Sequence, residues 1–102
     1  MRTILRYELP DCLNRISIAA GAKVLSVGVS VNALGKEIPS IWAECDVHDD
    51  VKYEPYGTEI RTFFIAGTGS NIDDISAYDK TYLGTMRLAN QYAYHIYEVT
   101  TL

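Results

Sequence analysis

Glu59-Ile60-Arg61-Thr62-Phe63-Phe64-Ile65-Ala66 runs directly into Gly67-Thr68-Gly69-Ser70. The run is rich in β-branched and aromatic residues, shows no helical i, i+3, i+4 spacing, and ends on turn chemistry, so it reads as a strand closed by a turn. Its side chains divide by period two. Ile60, Thr62, Phe64 and Ala66 point one way and Arg61, Phe63, Ile65 and Gly67 the other.

The same pattern recurs along the chain. Strands are predicted near Arg2–Glu8, Asn14–Ala19, Lys23–Val31, Ser40–Asp46, Glu59–Ala66, Tyr82–Ala89 and Tyr92–Val99. Leu9-Pro10-Asp11 breaks the first run, Ala20-Gly21-Ala22 joins the next two tightly, and Ala89-Asn90-Gln91 makes a hairpin between the last two. The expectation is an all-β chain: a seven-stranded antiparallel sandwich or barrel-like domain, with room for a short helix in a loop. The 102 residues form one domain, since a chain this short buries only about 60–65% of its unfolded surface.

Two long connections, Val47 to Thr58 and Gly67 to Thr81, are where a site is expected. In the last strand Tyr92, Tyr94 and Ile96 oppose Ala93, His95, Tyr97 and Val99, so large rings fall on both faces. A single small sandwich needs only one apolar face per sheet. The second aromatic face points to a homo-oligomer, a dimer or tetramer, or to ligand stacking.

A formal charge of −4 argues against a DNA or RNA binder, whose affinity comes from a basic surface. Any anionic ligand must then meet a local positive site. Charges interrupt the start of the chain before a signal-type apolar segment can form, and no run approaches the ~18 residues of a membrane span, so no membrane association is expected. Cys12 and Cys45 stand far apart, outside any CxxC pattern, and read as two reduced thiols.

Chemical motifs are weak. Cys45-Asp46-Val47-His48-Asp49-Asp50 holds metal-ligating residue types, but no matching group elsewhere completes a closed site, so neither a metal nor another cofactor is expected. Gly67-Thr68-Gly69 lacks the third glycine of a dinucleotide fingerprint and the Gly-Lys-Ser/Thr of a phosphate loop; it reads as a tight turn, with an anion-facing backbone as the alternative. His95, mid-strand among tyrosines, reads first as a hydrogen-bonded structural or interface histidine and only second as a catalytic base. Arg61 and Arg87 either lie on a solvated face or offer a planar fork to a phosphate.

Five blocks in register, Gly21–Val27, Ile41-Trp42-Ala43, Arg61–Gly69, Tyr82-Leu83-Gly84-Thr85 and His95-Ile96-Tyr97-Glu98, resemble a family of small tailed-phage proteins known as a domain of unknown function. The chain departs from that pattern at Ser70, where relatives often carry a histidine, and in the Leu34–Ile38 and His48–Glu59 regions, which are longer. The resemblance extends to anti-CBASS sponges, which act in the host bacterial cytoplasm by sequestering cyclic dinucleotide defence signals such as cGAMP without cleaving them.

Under that resemblance Tyr82, Tyr92, Tyr97 or Trp42 stack the bases. Gly67, Thr68, Gly69 and Ser70 supply donors to the phosphates, Arg61 or Arg87 supplies the positive charge, and Thr85 and His95 complete the binding set. No catalytic residue is implied. Two other readings compete: a phage structural or host-protein-binding module, and a small phosphodiesterase built on the His48 loop.

Overall fold

Strands β1 (Arg2–Glu8), β2 (Leu13–Ala19), β3 (Lys23–Val31), β4 (Glu37–Asp46), β5 (Thr58–Gly67), β6 (Asp79–Arg87) and β7 (Ala93–Thr100) form two antiparallel sheets, ordered β1-β4-β3 and β2-β5-β7-β6. They are seen in a computed structural model that describes residues 1–50, 53–76 and 78–100. Val51 and Lys52 of the first long connection and Ala77 of the second lie outside the described residues.

The sheets stack as a sandwich about 18 Å through its thin axis, as expected for two layers about 10 Å apart. Period two decides what is buried. Ile41, Ala43 and Cys45 of β4 face Ile18 of β2, Phe63 and Ile65 of β5, Met86 of β6 and Ile96 of β7 in one core. Cys45 is a free thiol whose pKa is pushed up by burial, while Cys12 is free and exposed. Among the described residues, no helix is long and apolar enough to cross a membrane.

Polar groups carried into this interior are matched. Asn14, 3% exposed, donates to the Asp11 carbonyl at 2.7 Å and accepts from the Asp11 N–H at 2.9 Å, which fixes the β1–β2 turn. The Ser30 and Ser40 hydroxyls pair at 2.7 Å. Between the layers the Ala19 N–H donates to the Tyr7 hydroxyl at 3.0 Å. Tyr7→Phe is therefore expected to leave a sheltered donor unpaired and to lower stability by about 1–2 kcal/mol, read as a shift of the urea midpoint with an unchanged m-value.

β4 begins three residues earlier than predicted because Pro39 lies within it. A strand residue's carbonyl and nitrogen face the same neighbour, and the Pro39 carbonyl accepts from Leu9 N–H at 2.7 Å, beyond the end of β1. The missing donor thus falls where no ladder bond is required. β6 likewise begins at Asp79, pairing Asp79 with Thr100 and Lys80 with Val99, and it stops at Arg87, short of the predicted Ala89.

Sandwich rather than barrel is settled along β3 and β6, the edges where the sheets approach without pairing. Each carries an irregularity, between Val24 and Ser26 in β3 and between Tyr82 and Gly84 in β6. β5 and β6 both run antiparallel to β7 and so parallel to one another, which demands a crossover the length of the sheet. Residues 68–78 make it, with a single 3₁₀ turn at Asp73–Ile75 whose Ile75 is 3% exposed. The inner face is filled by the core, so this crossover lies on the outer face of the four-stranded sheet.

Candidate functional site

That outer face carries five of the twelve residues expected to bind: Tyr82, Thr85, Arg87, His95 and Tyr97. Register places Ala66, His95 and Thr85 in one cross-strand row, and Leu13, Phe64, Tyr97 and Tyr82 in the next. His95 is held at both ring nitrogens: Nδ1 lies 2.9 Å from Thr85 Oγ1 and Nε2 lies 2.9 Å from Thr68 Oγ1. Thr85 Oγ1 also bonds the Tyr82 hydroxyl, and Thr68 Oγ1 donates to the Ala93 carbonyl at 3.4 Å.

The chain of bonds has a consistent direction. With Thr68 donating to Ala93, His95 Nε2–H donates to Thr68, and Nδ1 accepts from Thr85, which in turn accepts from Tyr82. Tyr82 and Tyr97 meet edge to face at 5.5 Å between centroids, and Tyr82 is exposed. Arg87 pairs with Ala93 on the same face and donates one bond to the Gln91 carbonyl at 3.0 Å.

The loop expected to cradle phosphates is a tight turn. Ser70 N–H donates to the Gly67 carbonyl at 2.9 Å and Gly69 has φ +85°, the pattern of a type II turn with glycine at its third position. Thr68 N–H donates to the Ala93 carbonyl at 3.1 Å. Of the four backbone donors from Gly67 to Ser70, those of Thr68 and Ser70 are thus occupied within the fold. Gly67, Thr68 and Ser70 border a cleft of about 490 Å³ at the end of the sandwich, together with Tyr92 and Tyr94.

Arg61 and Trp42 stand elsewhere. Arg61 shares the inward face of Phe63 and Ile65 and not a solvated one: its Nε and Nη2 donate to the two carboxylate oxygens of Glu98 at 2.6 and 2.7 Å, and its Nη1 donates to the Ala22 carbonyl at 2.5 Å. The Glu98 hydrogen bond raises its pKa. A fork engaged on this scale has no free edge for a phosphate, so the local positive charge expected from Arg61 has to come from another residue. Trp42 alternates with the core residues Ile41 and Ala43 and lies over Gly28, on the far side of the sandwich from His95.

His48 stands in the connection between β4 and β5. Its ring packs on Tyr56 at 4.1 Å between centroids, and its N–H donates to the Glu54 carbonyl. Among the described residues no group of three His, Cys, Asp or Glu side chains converges on a point.

Sequence reasoning missed a second cavity, larger than the cleft beside Gly67. A trough of about 760 Å³ runs over the outer face further along the strands, lined by Leu13, Ile60, Phe64, Val99 and the crossover residues Ile75 and Tyr78, with Arg15 beside them. Arg15 pairs with Thr62, Thr62 with Val99, and Val99 with Lys80, so this row has a cation at each edge of the sheet. Only the alternation of β2 could have put Arg15 on the face of Leu13 in advance.

The model of a domain of unknown function, DUF7352, matches residues 1–102, and the chain belongs to that family. No curated protein and no solved structure matches it.

Proposed function

From membership of a family without an assigned activity, we propose that the chain is a non-catalytic sponge that sequesters cyclic dinucleotide signals on the outer face of its four-stranded sheet. One observation carries the reading. The outward strand positions hold the cations Arg15, Lys80 and Arg87 and no carboxylate, with Asp73 on the crossover over the same face, although the chain as a whole is acidic at −4. An anion is thus favoured on this face and opposed over the acidic remainder of the surface.

Aromatic rings stand among those charges. Tyr82 and Tyr97 offer faces to a base, each stack contributing about 1–3 kcal/mol, while Thr68, Thr85 and His95 offer hydroxyl and imidazole partners, and Arg87 replaces Arg61 as the phosphate-facing cation. Exposed Tyr82 on the same face favours a second copy over the ligand, whose two-fold character matches a two-fold pair of subunits. Enclosure of this kind is the route to the roughly −12 kcal/mol of a nanomolar complex. The proposed setting is the bacterial cytoplasm, where such signals act during phage infection.

The test is isothermal titration against cyclic dinucleotides, ADP-ribose-derived signals and short oligonucleotides, followed by chromatography of the ligand released on boiling. Sub-micromolar binding with intact ligand recovered is expected. Tyr82→Ala, at an exposed position, is expected to weaken it about tenfold without moving the unfolding midpoint. A cleaved product would replace the sponge with an enzyme. Silence across the panel would leave the exposed apolar face to a host-protein partner.

A further inference from the structure

We propose that the 760 Å³ trough beside Arg15 is a separate binding site for a single-chain amphiphilic anion, a hydrocarbon tail ending in one carboxylate. The volume falls within the range of about 300–1,000 Å³ common to small-molecule sites, and apolar side chains share the lining with the polar groups of Arg15, Arg61, Thr62, Glu98 and Thr100. The apolar part is formed by Leu13 and Ile60, 53% and 60% exposed, with Phe64 and Val99 on the sheet side, and by Ile75 and Tyr78 on the crossover. Such a surface rewards a flexible chain rather than a directed hydrogen-bond pattern.

The headgroup follows from charge. Arg15 is the cation that lines the trough without a carboxylate partner among the described residues, since Arg61 on the same lining is closed by Glu98. A guanidinium fork beside an apolar wall matches a planar carboxylate in both geometry and sign. A cationic amphiphile would meet repulsion there. A second copy of the chain alone would bring its own Arg15, Lys80 and Arg87 against these, which argues for a small anionic occupant over self-association.

Crossover and sheet together make the site. Ile75 is almost fully buried and Tyr78 partly exposed, so the crossover stands above the sheet as one bank of the trough while Leu13 and Ile60 form the other. The His95 network lies on a different row of the same face, which allows the two sites to be separated by mutation.

The experiment is isothermal titration of the full chain with dodecanoate below its micellar concentration, with dodecyltrimethylammonium as the charge-reversed probe. Saturable one-to-one binding of dodecanoate is expected, with the ammonium at least about tenfold weaker. Arg15→Gln should reduce dodecanoate affinity about tenfold, Lys80→Gln should change it less than about twofold, and Ile60→Glu should abolish it. Equal affinity for the two probes, an unaffected Arg15→Gln, or equal losses in Arg15→Gln and Lys80→Gln would overturn the proposal. His95→Ala separates the two readings: it should leave dodecanoate binding intact whatever it does to nucleotides.

Discussion

Arg61→Ala is expected to lower the unfolding free energy by about 2–4 kcal/mol, the largest single loss expected of a charged residue in this chain. The reason is what the substitution leaves behind. Arg61 and Glu98 retain only 18% and 20% of their side-chain exposure, and removing the guanidinium strands a carboxylate that had two short bonds at the rim of the core. The Ala22 carbonyl loses its donor as well. Because the pair is not fully sealed, the effect belongs at the low end of what breaking a buried ion pair costs.

The measurement is a urea titration with the m-value held as a check on the unfolded state. Glu98→Gln should cost less, since a carboxamide oxygen still accepts from Nε. The raised pKa of Arg61 means that its part of this stabilisation is present throughout the neutral range and is lost only as pH rises through the raised value in strong alkali. A variant with an unmoved midpoint but impaired nucleotide binding would return Arg61 to the ligand site.

That reassignment shows where sequence reasoning stops. Alternation along β5 placed Arg61 on one face with Phe63 and Ile65 but left open which way that face turns, and its partner Glu98 lies 37 residues away and is brought beside it only by the β5–β7 pairing. Local pattern fixes the face of a side chain; register between strands fixes its neighbour. The same distinction explains the site. The short hairpin and the shared face of His95 and Tyr97 were legible, but the face of β6 that carries Tyr82 and Thr85 was not, and register is what brings them to His95. Trp42 carried an equally aromatic signal, yet its strand belongs to the other sheet. The trough was not legible because half of it is a crossover whose path depends on β5 and β6 being parallel, a fact of topology that no single strand records. Pro39 shows the converse: a residue that ends a strand by its local chemistry was tolerated because of where β1 stops.

Gly84→Ala is expected to destabilise the fold by about 2–3 kcal/mol and to impair the Tyr82–Thr85–His95 cluster at the same time. A Cβ built at Gly84 would stand 2.6 Å from Val27 Cγ2, closer than two carbon atoms can approach, so one sheet edge must move. The strand that gives way carries Thr85 as the next residue and Tyr82 across the bulge. Displacement therefore reaches Thr85, which bonds His95 Nδ1, and Tyr82, which bonds Thr85.

Compensation is specific and makes the prediction sharp. Val27→Ala removes the offending methyl, and the nearest remaining Val27 atom, its Cβ, lies 3.8 Å from the new carbon, an ordinary van der Waals distance. Alone, Val27→Ala should cost about 1–2 kcal/mol for lost packing on the core. Combined with Gly84→Ala it should restore most of the loss, giving a coupling energy of at least about 1 kcal/mol in a double-mutant cycle. Simple additivity would show that β3 and β6 separate freely and that the contact does not set the position of Thr85. Strong coupling would tie the two edges of the sandwich to the geometry of the His95 network, and the single Gly84 variant would then lose nucleotide affinity along with stability while the double variant recovers both.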